Sequence, residues 1–278
     1  MTNNRNDYEV VIKPKKGFIP VNFRELYQYR ELLYFLSLKE IKIRYKQTAL
    51  GASWAVLQPF LTMIIFTIVF GRLAKIPSEG IPYPIFSYSG LLLWTYFSNS
   101  ISTAGNSLVS NEKLVSKIYF PRLLIPTSCT VSGLLDYAIA MGILVIMIVY
   151  YNFYPNISII LLPYVILMTF ILANGLGYLL SAINVKYRDI RYALPFFIQL
   201  LLFLTPVIYP TDVGGAKYSW IFLLNPMSGF ISAHRTCILG HASLDVTGLL
   251  VSSVLTIIIF IIGISYFKKT ERYFADII

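Results

Sequence analysis

Residues 37–71, SLKEIKIRYKQTALGASWAVLQPFLTMIIFTIVFG, decide the fold of this chain. The first third of the stretch is basic, with four lysine and arginine residues between Lys39 and Lys46, and a charge-free run from Gln47 to Gly71 follows. About 20 apolar residues span the hydrocarbon core of a bilayer, and basic residues beside a span mark its cytosolic end. The stretch therefore predicts a membrane protein whose N-terminus is cytosolic.

Composition supports this interpretation over the whole length of the chain. Of its 278 residues, 56% are hydrophobic and 13% are charged, whereas a soluble domain has about 25% charged residues. The net charge of +10 does not indicate a nucleic-acid partner, because the basic residues follow the positive-inside rule. All 23 lysines and arginines fall in segments predicted to be cytosolic, except Arg72, Lys75, Lys217 and Arg235.

The first 46 residues divide into a tail and a helix. Residues 1–22 are polar, lack the apolar core of a signal peptide and predict a cytosolic tail. Residues 23–46 show a helical pattern and begin the predicted transmembrane domain, 23–278. We expect this helix to lie on the membrane surface with its lysines at the headgroups, either as an anchor or as a docking surface for a cytosolic subunit. Its apolar stripe consists of Tyr34, Leu38, Ile41 and Tyr45.

The remaining chain predicts an all-α membrane protein with six transmembrane helices. Six crossings return the chain to its starting side, so both termini are expected in the cytosol. Pro59 lies inside the first span and is expected to kink it. The predicted spans are residues 52–70, 85–104, 127–149, 157–184, 192–209 and 246–267.

Three short helices are expected outside these spans, one on the cytosolic side of the membrane and two on the outer side. On the cytosolic side, Asn111 can cap a helix and Pro121 can stop it, which predicts a helix over Glu112–Phe120. On the outer side, Trp220–Leu224 and Phe230–Ala233 are apolar but too short to span. They predict a re-entrant pair of helices that dips into the membrane.

Candidate catalytic and metal-binding groups are few. The chain contains no Gly-x-x-x-x-Gly-Lys-[Ser/Thr] phosphate loop, so we expect any ATP hydrolysis on another subunit. Asp136 lies within a predicted span without a basic residue in any span; it is either a functional acid or an acid that bonds a neighbouring helix or faces an aqueous cavity. His234, Cys237 and His241 lack a fourth metal ligand and are interpreted as loop residues, so we expect no metal site and no catalytic residue.

Aromatic side chains are the other notable group, at 15% of the chain. Aromatic rings stack on the C–H faces of sugars through their negative π-faces. A conduit lined with such rings could pass a sugar chain without holding it tightly. The rings predicted to lie deep in the membrane are Trp54, Phe60, Phe66, Phe196, Phe197 and Phe203.

Four motifs in order resemble the ABC-2-type permeases. They are Arg44–Gly51 followed by Trp54 and Pro59, then Asn111–Arg122, Lys186–Ile190 and Leu224–Met227. Together they look like the membrane subunit of bacterial polysaccharide exporters, above all of the O-antigen class of lipopolysaccharide biosynthesis. Teichoic acid and capsule exporters are close relatives.

This resemblance implies a homodimer in the bacterial inner membrane with two copies of an ABC subunit that carries ATP and Mg²⁺, so this chain itself would hold no cofactor. The implied cargo is a lipid-linked polysaccharide, moved from the cytosolic to the outer face. The residues implied to couple to the ATPase are Glu112, Lys113, Leu114, Val115, Lys117, Ile118, Tyr119, Lys186, Tyr187, Arg188 and Asp189. The implied outer gate, within 218–236, consists of Trp220, Phe222, Leu223, Leu224 and Phe230.

Two other classes of membrane protein are alternatives. A membrane-embedded enzyme acting on lipid-linked sugars needs clustered acids or histidines near one interface, and the sequence shows none. A small-solute secondary transporter often carries repeats and intramembrane charges, and only Asp136 qualifies here.

Overall fold

The computed structural model describes residues 23–46, 51, 53–211, 215–240 and 243–274, and within these ranges the chain is helical without a strand. The predicted tail, 1–22, lies outside the described residues. The described α-helices are α1 Phe23–Gln28, α2 Arg30–Tyr45, α3 Ser53–Phe66, α4 Tyr83–Ser110, α5 Glu112–Lys117, α6 Leu124–Tyr150, α7 Leu162–Lys186, α8 Ile190–Leu204, α9 Gly215–Leu224, α10 Pro226–Leu239 and α11 Val246–Thr270. A π-helical segment, Thr67–Leu73, continues α3, and 3₁₀ turns at Ile157–Leu161 and Glu271–Tyr273 precede α7 and follow α11.

Helix α4 lies at the centre of the molecule and packs against α6, α7 and α10. It is rich in serine, threonine and asparagine, yet most of its residues are buried. Several of these side chains bond to carbonyl groups of the preceding turn, as Thr103 Oγ1 does to Asn99 O at 2.7 Å and Ser107 Oγ to Ala104 O at 2.7 Å. Because these hydroxyls are satisfied within their own helix, a polar helix can occupy the core.

Helices α7 and α11 approach closely where Gly175 faces Gly263. A Cβ atom at Gly175 would lie only 2.7 Å from Phe260 Cα. Small residues at such a crossing let two helix backbones meet, as is common between membrane helices. Glycine is therefore required at this position by packing rather than by backbone conformation.

Four described helical segments are long and apolar enough to cross a membrane: Ser53–Leu73, Leu124–Tyr150, Ile157–Lys186 and Val246–Tyr273. The central helix α4 has 28 residues, about 42 Å of helix, but its polar side chains keep it out of this set. Helix α8 has 15 residues, about 22 Å, which is shorter than the roughly 30 Å hydrocarbon core. Length and composition alone therefore identify four of the six predicted crossings.

Four of the predicted helix ends are wrong, two of them beside prolines. Helix α8 ends at Leu204 rather than Tyr209, because Thr205 precedes Pro206 and adopts an extended conformation. The residue before a proline is disfavoured in the helical region. Helix α5 ends at Lys117 rather than Phe120, before the Phe120–Pro121 step. Helix α4 extends beyond the predicted 85–104 at both ends.

The predicted N-terminal helix forms as two helices, α1 and α2, separated at Tyr29. Helix α2 packs along α6, and its buried residues are Leu36 and Ser37. The side chain of Tyr34, on the predicted apolar stripe, is 61% exposed. The predicted stripe is therefore divided: Tyr34 points outward, whereas Leu38, Ile41 and Tyr45 are half-buried beside the face that carries Leu36 and Ser37.

Candidate functional site

Asp136, on α6, is bound by two residues from the C-terminal end of α2. Arg44 Nη1 forms an ion pair with Asp136 Oδ2, and the Tyr45 hydroxyl donates to Asp136 Oδ1. Burial, with the hydrogen bond to Asp136 next in importance, raises the pKa of Tyr45, so its hydroxyl remains a donor. The partner lies on α2 and not in a span, so Asp136 matches the second expectation from the sequence, an acid that bonds a neighbouring helix.

The ion pair lies beside a cavity of about 350 Å³ between α2, α3, α4 and α6, which we call the Asp136 cavity. Asp136 lies twelve residues after the first residue of α6, about 18 Å along the helix. The cavity thus reaches well into the helical bundle. Its charged, amide and aromatic lining includes Arg44, Tyr45, Trp54, Gln58, Asn99 and Asp136.

Among the predicted conduit aromatics, Trp54 belongs to the Asp136 cavity and is 50% exposed. The other five, Phe60, Phe66, Phe196, Phe197 and Phe203, lie on α3 and α8 outside this cavity. All except the half-buried Phe66, which packs edge-on against Phe70, are exposed. The described part of one protomer therefore presents these rings on two outward-facing helices and does not enclose a conduit with them.

The predicted coupling helix exposes some of its residues and buries others. Glu112, Lys113, Lys117, Ile118 and Tyr119 are exposed, and Leu114 is half-buried. Tyr119 is 86% exposed, which is unusual for so large an aromatic side chain. These side chains form a surface that a partner protein could cover.

Val115 is the exception, because it is 2% exposed and packs in a core cluster with Phe120 and Leu123. It is therefore wrong as a direct contact of a partner and instead attaches α5 to the rest of the chain. The predicted side-chain cap by Asn111 is also absent. Instead, Asn111 Nδ2 donates to Ser107 O, and Asn111 Oδ1 accepts from Lys39 Nζ.

The second predicted coupling segment forms a short, exposed connection between α7 and α8. Helix α7 includes Lys186, and the connection is therefore reduced to Tyr187–Asp189. Lys186, Tyr187, Arg188 and Asp189 are all exposed. The Lys186 ammonium lies 5.0 Å from the centre of the Tyr187 ring.

The segment predicted to lie outside forms two helices, α9 and α10, which are longer than expected. They meet at Asn225, whose Oδ1 accepts from Met227 N at 3.1 Å and whose Nδ2 donates to Thr205 Oγ1 at 2.9 Å. Trp220, Leu223 and Leu224 of the predicted gate are exposed and Phe222 is half-buried, whereas Phe230 is fully buried.

Phe230 is therefore wrong as an exposed gate residue, because it lies in the hydrophobic core of its own chain. The other four predicted gate residues all belong to α9. The two helices thus differ: α10 is largely buried, and α9 carries the accessible apolar side chains.

Sequence reasoning placed Arg235 on the outer side of the membrane without assigning it a contact; it is 8% exposed and lies within α10. Its guanidinium donates to three backbone carbonyls, Phe86 O at 3.2 Å, Pro206 O at 2.8 Å and Val207 O at 2.6 Å. The guanidinium carbon also lies 3.8 Å from the centre of the Phe86 ring. We call these four residues the Arg235 cluster.

The neighbouring residue, His234, is also buried in α10 and is not the predicted loop residue. Its Nε2 atom lies 2.8 Å from the Tyr137 hydroxyl on α6. His241, the third member of the group considered for metal binding, lies outside the described residues. The burial of Arg235, and with it of the adjacent His234, had one signal in the sequence. An arginine within an apolar stretch usually faces the protein interior.

Comparison with known proteins identifies a family and several relatives that this chain resembles in sequence. A family model described as "ABC-2 type transporter" matches residues 31–239. An O-antigen export system permease protein RfbA of Myxococcus xanthus is 30% identical over 256 residues, which cover 91% of this chain and 97% of that protein. A protein of the same name from Klebsiella pneumoniae is 28% identical over 249 residues, 89% of this chain and 95% of that protein. The polysialic acid transport protein KpsM of Escherichia coli is 25% identical over 244 residues, 85% of this chain and 92% of that protein.

Proposed function

The chain belongs to the ABC-2 type transporter family, and we propose that it is the permease subunit of an ABC exporter that moves a lipid-linked, O-antigen-type polysaccharide out of the cytosol. It is a multi-pass protein of the inner membrane. The observation that carries the proposal is the match to O-antigen export permeases over nearly the full length of both chains. The order of the helices is compatible with that role from α2 to α11.

In this proposal the chain crosses the membrane six times, with both termini in the cytosol. The four long apolar helices account for four crossings. Helix α4 supplies the second crossing, since its length is sufficient and its polar residues face the protein core. Helix α8, extended by the segment 205–211, supplies the fifth.

The exposed aromatic faces of α3 and α8 support a homodimer. Only 11% of the first apolar span is buried within one protomer, and Phe196 and Phe197 on α8 are 60% and 57% exposed. We place a second copy of the chain against these faces, so that the conduit aromatics of both protomers line the path of the sugar chain. Helix α9 closes the outer end of this path with its exposed apolar residues.

ATP and Mg²⁺ belong to a separate ATPase subunit, two copies of which bind the cytosolic side. The exposed residues of α5 and of the segment Lys186–Asp189 form the contact surface. Leu114 and Ile118 supply apolar contact area, worth about 1.5–3 kcal/mol for each side chain that becomes fully buried. Motion of the ATPase subunits then reaches the spans through α5, which is fixed to the core by Val115.

The proposal is tested by purification of the tagged chain from its own organism. We expect an ATPase subunit to co-elute in equal amount, and deletion of the chain to remove the polysaccharide from the cell surface. A chain that elutes without an ATPase, from cells whose surface polysaccharide survives the deletion, would contradict the proposal.

A further inference from the structure

The Asp136 cavity has the size and shape of a small-molecule site. Its volume of about 350 Å³ falls within the range of roughly 300–1,000 Å³ that is typical of ligand pockets. Residues of α4 and α6 form its floor, the start of α3 forms a wall, and the end of α2 closes one side. Arg44 and Tyr45 hold that closing element in place through Asp136.

The charges of the lining select the chemical class of the ligand. Among the described lining residues, the one cation is Arg44 and the one anion is Asp136, and they form an ion pair. A phosphate or diphosphate would have to displace the Asp136 carboxylate from Arg44 and then lie beside that carboxylate. Since like charges at such a distance repel, the neutralised pair disfavours an anionic ligand and favours an uncharged one.

Two amide side chains are among the polar groups that remain available. Within the described residues, the side chains of Gln58 and Asn99 form no hydrogen bond to protein. Each amide offers donors and an acceptor, which match the hydroxyl groups of a sugar. The half-exposed Trp54 ring supplies an apolar π-face on the same cavity, and such a face suits the C–H side of a sugar ring.

We propose that the Asp136 cavity binds an uncharged sugar unit of the cargo, with Trp54 stacked on the ring and Gln58 and Asn99 bonded to its hydroxyls. This inference rests on the proposed export function and adds a binding site within a single protomer. The cavity lies at the junction of α2 with the spans, so the bound sugar is held where the cytosolic helix meets the membrane-embedded bundle. The diphosphate-linked lipid is bound elsewhere.

The test places the photo-reactive residue p-benzoylphenylalanine at Gln58 in the otherwise intact exporter in living cells. A matched control carries it at Leu61, which lies three residues further along α3, is 45% exposed and does not line the cavity. Antiserum against the surface polysaccharide detects the adducts after irradiation. We expect an adduct from position 58 at least fivefold stronger than from position 61, and we expect the sugar epitope to stay on the protein after mild acid cleaves the glycosyl–diphosphate bond.

A second measurement uses a reactive residue at Trp54 in a Gln58→Ala, Asn99→Ala background. Loss of two hydrogen bonds should lower the adduct about tenfold, whereas Ser98→Ala, a half-buried α4 residue outside the cavity, should leave it unchanged. Equal adducts at positions 58 and 61, or an epitope that acid removes, overturn the cavity proposal while export continues. If deletion of the chain leaves surface polysaccharide intact, the proposed function itself fails.

Discussion

Two arginines of the bundle are held in different ways. Arg44 is 29% exposed and faces the carboxylate of Asp136, which is 17% exposed. Arg235 is 8% exposed, and within the described ranges it forms no ion pair with a carboxylate. Three backbone carbonyls and the Phe86 ring surround it instead.

The difference separates an adjustable contact from a fixed one. Arg44 and Asp136 are side chains on two helices, and water can solvate both charges if the helices separate. The Arg235 cluster depends on carbonyls of α4 and of the segment after α8, whose positions the fold sets. Removal of Arg235 takes the donor away from the buried Pro206 and Val207 carbonyls, whereas Phe86 O still accepts from Ser89 Oγ. We therefore infer that the part of the bundle around the Arg235 cluster is rigid and that the contact of α2 with α6 can open.

The largest expected effect follows Arg235→Met, which keeps an apolar side chain but removes every donor. Each buried carbonyl left unpaired costs about 1–3 kcal/mol, so the loss of the donor to Pro206 O and Val207 O should cost about 2–6 kcal/mol of stability. Arg235→Lys should not restore it, because an ammonium lacks the planar fork of the guanidinium. Thermal unfolding of the purified exporter in detergent measures the loss.

The control for this change is Arg72→Met, which removes an exposed charge from the same predicted side of the membrane. It should melt within about a degree of the parent, since isolated surface charges contribute little. Equal melting temperatures for Arg235→Met and the parent would show that the carbonyl contacts do not stabilise the outer end.

A smaller effect is expected from breaking the contact between α2 and α6. Arg44→Asp or Asp136→Arg places two like charges together and should cost about 1–2 kcal/mol, between the values for exposed and buried pairs. The variant with both residues exchanged has opposite charges again, and it should regain most of the decrease in melting temperature that the single changes cause. A double variant no more stable than the single ones would indicate that the ion pair does not hold α2 to α6.

At the α5 surface, we expect weaker binding of the ATPase without loss of folding. Leu114→Ser with Ile118→Ser removes apolar area from half-buried and exposed positions. The chain should keep its melting temperature, and its co-elution with the ATPase should fall about tenfold or more. Val115→Ser provides the contrast, because it should lower the stability of the chain itself. The assignment of α5 as the coupling element fails if the double variant binds the ATPase and exports polymer normally.

The smallest expected effect concerns the exposed lysines of the same helix. Lys113→Ala with Lys117→Ala should slow association with the ATPase about two- to fivefold at low salt and leave dissociation nearly unchanged, because exposed charges act mainly on the association rate. The difference should vanish at about 0.5 M salt, where screening is strong. Stopped-flow mixing of the two subunits measures both rates.

The sequence predicted the helical runs because long apolar stretches leave few other structures in a membrane. The errors in the sequence-based prediction concern helix ends, which single residues set, and side-chain contacts between residues far apart in the chain. Helix α8 ends at Leu204, five residues before the predicted end at Tyr209. Pro206 is visible in the sequence and could have been used to predict this earlier end. The partner of Asp136 lies 92 residues away on α2, and no local pattern identifies such a pair.

The Arg235 cluster illustrates the same limit. Its ligands are backbone carbonyls from two other parts of the chain, and a backbone group leaves no trace in the residue types. The burial of Val115 and Phe230 likewise depends on which face of a short helix meets the core. Exposure of α5 and of the Lys186–Asp189 connection was better predicted, because charged residues remain at the surface.

The most direct test of the central claim locates the polysaccharide when the chain is depleted. Cells are labelled with antiserum against the polymer, first intact and then after the inner membrane is permeabilised. The account predicts that depletion removes the surface signal and that lipid-linked polymer of normal length accumulates behind the inner membrane. Persistent surface polymer, or loss of the polymer from both compartments, would contradict export by this permease.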